Sequence, residues 1–143
     1  MPNWCMNSVE VHIEDEKELK QWKEIVESEK NKFDFNKIVP MPEKLNDTVG
    51  ADHVPSPELI EKYGFDDWYD WRIHNWGVKW NANVGEDDVE NDGDYIRYDF
   101  DTPWSPPHEI YYALKRKFPD IGITWFYYEP AMKFAGYLNK ENI

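Results

Sequence analysis

Apolar and polar residues alternate near the start of the chain, and the spacing then changes to that of a helix. Apolar side chains occupy every second position from Val9 to Ile13, with Glu10 and His12 between them. This period of two predicts a strand over residues 7–13 with one buried face and one wet face.

A helix is predicted to follow, from Asp15 to about Lys30. Asp15 is a favourable N-cap residue, and Glu18 stands three positions later, as in a capping box. The apolar residues fall on one stripe of this helix: Leu19, Trp22, Ile25 and Val26. Such a stripe is typical of a helix that packs on a sheet.

The pattern is less regular over residues 33–77, where turn residues interrupt short apolar runs. The predicted elements, in chain order, are a short extended piece at 33–38, a loop at 40–56, a helix begun by Ser56 and Pro57 and ended by Gly64, and a second helix from Asp66 to about Gly77. These elements form an insertion between the first helix and the next strand.

Alternation returns in the second half of the chain. Strands are predicted at 79–84, 94–101, 123–128 and 133–138, with an acidic turn at 86–94 that joins the first two in a hairpin. Ser105 and Pro106 are predicted to begin a helix between the second and third of these strands, with Ile110 and Leu114 on its buried side.

This order is β-α, an insertion, β-β-α-β and a final strand. Without the insertion it is the split β-α-β pattern of the ferredoxin-like fold. We therefore predict a single α+β domain over residues 1–143, built on an antiparallel sheet with helices on one face. The insertion lies at about 33–77, and the last strand is an addition at the C-terminal end.

Composition supports a packed core and limits the kinds of partner. The chain has 143 residues, and 17% of them are aromatic, including 8 Trp. The formal net charge is -13. A negative electrostatic field repels phosphate, so nucleic acid is an unfavourable partner. An acidic surface can instead engage a host protein. The sequence leaves the oligomeric state open.

The cysteine count and the apolar runs indicate the compartment. Cys5 is the single cysteine, so no internal disulfide forms. No apolar run approaches the roughly 20 residues of a membrane span, and the N-terminus lacks the pattern of a signal peptide. We therefore expect a cytoplasmic protein that does not enter the membrane.

The most unusual local chemistry is in two tryptophan-rich stretches, 74–80 and 102–107. Indole rings with an N–H to satisfy often lie at half-wet sites, although large rings more commonly fill cores. We predict a ligand or partner surface, and no catalytic residue, among the following side chains: Trp4, His74, Asn75, Trp76, Lys79, Trp80, Trp104 and Glu129.

No cofactor or metal site is expected. The four histidines have no metal-ligand spacing. The acidic turn matches part of a calcium-loop pattern through Asp88, Glu90, Asp92 and Gly93, but Asp99 stands where a bidentate glutamate is needed. The Asn-Asp-Gly run within it is ordinary turn chemistry, so a solvated turn is the favoured interpretation.

Several long motifs resemble those of a known family. They are Met1 to Asn7, Asn75 to Trp80, Tyr98 to Pro107, and Tyr128-Glu129 followed by Phe134-Ala135-Gly136. Together they resemble the YubB-like family of phage and conjugative-plasmid proteins. The resemblance implies a ferredoxin-like domain of mobile-element origin with no established activity. Val78 departs from it, since threonine is usual there.

Three functions stay open at this point. The first is a non-catalytic acidic binding protein that engages a host macromolecule. The second is a small-molecule or enzymatic pocket lined by the tryptophan stretches, with His74 or Glu129 as acid or base. The third is single-strand nucleic-acid binding by exposed rings of the strand at 122–128. Convergence of His74, Lys79 and Glu129 is the geometric test of the second.

Overall fold

A five-stranded antiparallel sheet forms the centre of the protein. The computed structural model describes residues 2–48 and 55–139. The strands, in chain order, are β1 (Trp4–His12), β2 (Val89–Asn91), β3 (Ile96–Pro103), β4 (Gly122–Glu129) and β5 (Phe134–Leu138). Their order across the sheet is β2-β3-β1-β4-β5. The described helices are α1 (Glu16–Val26), α2 (Phe35–Ile38), α3 (Pro57–Tyr63), α4 (Trp68–Asn75) and α5 (His108–Lys117).

The helices cover one face of the sheet, as predicted. Trp22 of α1 is fully buried, and its Nε1 donates a hydrogen bond to the Tyr98 hydroxyl on β3 at 3.1 Å. On α5, the Tyr111 ring meets the Trp125 ring of β4 edge-on, with centroids 5.9 Å apart. The predicted α+β, ferredoxin-like class is therefore confirmed.

The predicted insertion contributes aromatic rings to the same core. Phe33 lies 5.2 Å from Phe100 and 5.7 Å from Trp125, measured between ring centroids. Phe35 packs edge-on against Phe100 at 5.9 Å. Each large ring buries roughly 150–250 Å², so these rings supply much of the core that the low aliphatic content leaves unfilled.

A polar network crosses this apolar layer between β1, β3 and β4. The Asn7 amide donates to Thr102 Oγ1 at 2.9 Å, and its carbonyl accepts from Trp125 Nε1 at 3.0 Å. Thr102 Oγ1 in turn donates to the Ser105 carbonyl at 2.6 Å. All the polar side-chain atoms of this network have partners, which is what burial requires.

Some local predictions were right because the capping residues act over short distances. The Ser56 hydroxyl accepts from the Leu59 amide at the start of α3, and Gly64 ends that helix with φ 81. Asp15 caps α1 by accepting from the Lys17 amide, but α1 ends at Val26 instead of near Lys30. The chain then turns because the Ser28 amide donates to the Asn31 carbonyl at 2.9 Å.

Two predicted extended pieces were wrong. Residues 35–38 form α2, because Asp34 is an N-cap whose side chain accepts from the Asn36 amide. Residues 79–84 are irregular, since their polar groups bind the loop after α1 and not a strand. The Asn31 amide donates to the Ala82 carbonyl at 2.6 Å, and the Lys32 amide donates to the Val84 carbonyl at 2.8 Å.

The hairpin and the last helix also differ from the prediction. The hairpin partner of β3 is β2 and not residues 79–84, so Glu90 of the predicted acidic turn lies opposite Arg97 in a strand pair. Helix α5 begins at His108 with Pro107 as N-cap, two residues after the predicted Ser105 cap. Pro107 carries no N–H, and the His108 amide donates to the Pro106 carbonyl at 2.9 Å, so neither residue bonds the Ser105 side chain.

We expect the buried Tyr98 hydroxyl to weaken folding at alkaline pH. Burial raises the pKa of Tyr98 from 10.0 to about 12. The folded state therefore favours the protonated phenol, and this contribution is complete below pH 10 and is lost as the pH rises toward 12. The free energy of unfolding should fall by about 1.4 kcal/mol per pH unit in that window from this group alone.

Denaturant titrations at pH 8, 10 and 11 measure this slope. Tyr98→Phe is the matched variant, because it removes the titrating group and keeps the ring. The difference in slope between the native chain and Tyr98→Phe isolates Tyr98 from the other tyrosines. Equal slopes in the two proteins would contradict the expectation.

Candidate surface on the uncovered sheet face

The sheet face opposite the helices is here named the open face. It carries the even-numbered side chains of β1 and β4 and the odd-numbered side chains of β3 and β5, as the strand register requires. Within the described part of the chain, no helix is long and apolar enough to cross a membrane.

Strand pairing sets the order of side chains across the open face. Met6 of β1 lies between Asp101 of β3 and Tyr128 of β4. In the next row, Ser8 lies between Asp99 and Phe126. Directly opposite side chains on neighbouring strands are about 5 Å apart, so each row places a carboxylate and an aromatic ring on either side of a β1 residue.

These rows enclose a concavity of about 600 Å³. Its other lining residues include Asn83 and Asp88, from the segment that precedes β2. The concavity has an apolar side, formed by Met6, Phe126 and Tyr128, and an acidic side. A hollow with this mixture of ring faces and a few polar groups is typical of a binding site.

Large apolar side chains of the open face are exposed to solvent. Met6 is 53% exposed, Tyr128 42% and Tyr137 62%. The Phe126 and Tyr137 rings contact each other across β4 and β5, with centroids 5.2 Å apart. Contiguous exposure of this kind marks an interaction surface, whereas single exposed rings do not.

The charge on this face is predominantly negative. Partial desolvation, and then the negative charge of Asp88, raises the pKa of Asp101 above its usual range. Arg97 supplies the facing positive charge, and it is already engaged by Glu90 at 2.7 Å and by Asp99 at 3.2 Å. A cation placed beside Asp101 and Asp88 would relieve their mutual repulsion.

The predicted tryptophan surface is only partly assembled. Trp4 and Trp80 lie with ring centroids 5.9 Å apart, and Lys79 Nζ lies 4.4 Å from the centre of the Trp80 ring. Trp4 precedes Met6 by two residues on β1, so this pair extends the open face. Trp104 is 51% exposed with φ 70, and its amide donates to the Asn3 carbonyl.

Trp76 and Asn75 have structural contacts. Trp76 is 1% exposed, and its Nε1 donates to the Val39 carbonyl at 2.9 Å. The Asn75 amide donates to the Trp71 carbonyl at 2.9 Å, within α4. Arg72 lies over the Trp76 ring at 5.0 Å, and burial lowers the pKa of Arg72.

His74, Lys79 and Glu129 have different neighbours and do not form one centre. The His74 ring is exposed on α4 and contacts the Phe65 ring at 5.1 Å. Glu129 is fully buried, and its carboxylate accepts hydrogen bonds from the Ala131 and Met132 amides of the turn before β5. An acid or base role for either residue in one shared pocket has no support in this geometry.

The residues at the acidic turn bind other protein groups. Glu90 and Asp99 pair with Arg97, and the Asp88 carboxylate accepts from the Gly85 amide at 3.1 Å. Among residues 2–48 and 55–139, no three or more His, Cys, Asp or Glu side chains form a group that would hold a metal ion.

Met6, Ser8 and Asp101 of the open face were not among the predicted site residues, and Phe126 and Tyr128 entered only as rings of the strand at 122–128 in the nucleic-acid hypothesis. Their alternation was visible in the sequence, since Phe126 and Tyr128 share one face of a predicted strand. The missing information was which face the helices leave uncovered.

The architecture is that of an α+β protein with a ferredoxin-like sheet, and comparison with known proteins gives the same class. Residues 75–142 match the family described as the ferredoxin-like domain in Api92-like protein. This segment contains most of the motifs on which the sequence resemblance rests.

A solved structure extends the similarity to the whole fold. The crystal structure of protein api92 from Yersinia pseudotuberculosis matches with a TM-score of 0.52 and 13% sequence identity, over 96% of this chain and 93% of that chain. At this identity the match shows a shared fold. No curated protein sequence matches the chain.

Proposed function

We propose that this protein is a non-catalytic acidic binding protein that docks a basic segment of a host protein on its open face. The observation that carries the proposal is the concavity in which Met6, Phe126 and Tyr128 face Asp99 and Asp101. Exposed rings supply the area for association, and the carboxylates select a cationic partner.

Arginine is the side chain that suits both halves of this concavity. Its planar guanidinium stacks on aromatic faces and forms paired hydrogen bonds with carboxylates. A guanidinium over Tyr128 would lie in the same row as Asp101, with Met6 of β1 between them. Lysine satisfies the charge but offers no planar group to stack, so we expect arginine to bind more tightly.

Single-stranded nucleic acid is disfavoured at the same surface. Phe126 and Tyr128 of β4 offer ring faces on which bases stack, but β3, on the other side of β1, carries Asp99 and Asp101. A phosphate backbone that followed the rings would run beside these carboxylates, and the net charge of -13 adds repulsion at longer range.

The proposed setting is the cytoplasm of a bacterial host that carries a phage or conjugative plasmid. The support for it is the sequence resemblance to the YubB-like family, together with the lack of a recognisable catalytic motif. A small acidic protein of this kind would occupy the basic surface of a host enzyme, including one that normally binds nucleic acid.

A peptide titration tests the proposal. The probe is a short peptide that contains two arginines, no tryptophan and a fluorescent label. It should bind the native chain, with an affinity that falls as salt is added. Asp99→Asn combined with Asp101→Asn should weaken binding about 5- to 30-fold, since each partly exposed ion pair contributes up to about 1 kcal/mol.

Three comparisons make this result specific. Glu58→Gln combined with Glu61→Gln on α3 removes the same charge elsewhere and should leave the affinity unchanged. A citrulline peptide should bind weakly, and an oligothymidine should not bind. Equal losses for the two charge variants, or tighter binding of the oligonucleotide, would overturn the proposal.

A further inference from the structure

The two edges of the sheet differ in how they are protected against pairing with another strand. The β2 edge has a three-residue strand, Val89–Asn91, that contains Glu90 and is followed by Asp92 and Asp94. Short length and charge are the usual means by which proteins block edge-to-edge association. The β2 edge is therefore blocked.

The β5 edge has none of these features. Its five residues, Phe134–Leu138, contain no charge and no proline. Within the part of the chain that the structure describes, β5 pairs with β4 alone and ends the sheet on that side. One side of β5 therefore presents backbone N–H and C=O groups that a further strand can bind.

We propose that β5 pairs with β5 of a second copy of this chain, antiparallel and centred on Gly136. This arrangement joins two sheets into one of ten strands. In this register Phe134 lies opposite Leu138 of the second copy, and Ala135 lies opposite Tyr137. Side chains opposite each other in an antiparallel pair point to the same face, so each pair has a common environment.

The strand is complementary to itself in this register. On the open face, the small Ala135 side chain leaves room for the Tyr137 ring of the second copy. On the other face, Phe134 and Leu138 form an apolar pair. Lys133, which precedes the strand, lies opposite Asn139 and not opposite a second lysine. No like charges therefore meet within the proposed strand pair.

The acidic groups of the open face lie away from this contact. Glu90, Asp99 and Asp101 lie on β2 and β3, at the other side of the sheet. β3 lies three strand spacings from β5, roughly 14 Å, and this exceeds the screening length of about 8 Å at physiological salt. Repulsion from these three carboxylates is therefore weak at the β5 edge.

Pairing at β5 would extend the aromatic part of the open face. Tyr137 already contacts Phe126 at 5.2 Å. The second copy would add an equivalent Tyr137 and Phe126 across the two-fold axis, which gives one continuous band of rings between two acidic concavities. This inference stands on the strand edge and does not depend on the chemistry of the partner at the open face.

Sedimentation over a range of about 10–500 µM tests the association, since dimerisation depends on concentration. The native chain should reach twice its monomer mass. Tyr137→Lys should raise the dimer dissociation constant by about tenfold or more, because it removes two symmetric ring contacts and adds charge at the axis. Met132→Lys is the matched control, since Met132 is 65% exposed but precedes the strand.

A mixed-label NMR experiment identifies the register. Contacts between the Ala135 methyl of one copy and the Tyr137 ring of the other support the proposal. A native chain that stays monomeric throughout the range overturns it, as does a dimer that Tyr137→Lys leaves intact. Gly136 is not a suitable test site, because an added Cβ would lie 2.8 Å from the Tyr127 hydroxyl of the same copy.

Discussion

Trp76→Ala is expected to lower the free energy of unfolding by about 3–5 kcal/mol, the usual cost of removing a large buried ring. The Trp76 ring packs edge-on against Phe35 and Trp71, with centroid distances of 5.9 and 5.8 Å. Its loss leaves a cavity and leaves the Val39 carbonyl without the indole donor. Chemical denaturation followed by circular dichroism measures the change.

Trp104→Ala is the control for this prediction. Trp104 is 51% exposed, so its truncation should change stability by less than about 1 kcal/mol. A Trp76→Ala protein as stable as the native chain would show that the ring is not part of the core. Trp76 would then again be a candidate residue of the binding surface.

Asn7→Ala is the second substitution with a large expected effect. It removes the acceptor for Trp125 Nε1 and the donor to Thr102 Oγ1, and both groups are buried. The indole N–H left without a partner costs about 1–3 kcal/mol, and the lost hydrogen bond to Thr102 adds about 1 kcal/mol, so the free energy of unfolding should fall by about 2–4 kcal/mol. Denaturant titration followed by circular dichroism measures the loss of stability.

Ser8→Ala provides the comparison, since Ser8 neighbours Asn7 but points to the open face. We expect a change within about 0.5 kcal/mol, as for ordinary surface substitutions. If Asn7→Ala and Ser8→Ala have equal effects, the network is not a source of stability. If the double variant Asn7→Ala/Trp125→Phe recovers most of the lost free energy of unfolding, the unpaired indole N–H is the main cause of that loss.

The fold class was predictable because the strands of this protein follow the period of two closely. Ile96, Tyr98 and Phe100 are all buried on one face of β3, and Arg97 and Asp99 lie on the other. Capping residues also predict where a helix begins and ends, as Ser56 and Gly64 show for α3. These signals do not depend on distant parts of the chain.

The wrong predictions depend on contacts between distant parts of the sequence. Residues 79–84 have a strand-like pattern, but Asn81 binds Asp34 at 2.7 Å and accepts from the Phe35 amide at 2.8 Å. No local pattern predicts that Asn81 will bond to residues 46 and 47 positions away in place of a strand ladder.

The candidate site was harder to predict than the fold, for a related reason. The sequence identified tryptophan clusters but did not show which rings the insertion would bury. Trp76 is enclosed, whereas Trp4 and Trp80 remain at the end of the open face. The binding surface is defined by where helices are absent, and this depends on the packing of α1 and α5 as a whole.

Methionine methyl NMR tests the role of the open face most directly. Met6 forms part of the concavity, Met132 lies in the turn before β5, and Met41 is buried on the helical side. When an arginine peptide is titrated into chain labelled at the methionine methyl groups, we predict a saturating shift of the Met6 signal with little change at Met41 and Met132. A Met6 signal that stays fixed while the peptide binds would contradict the account.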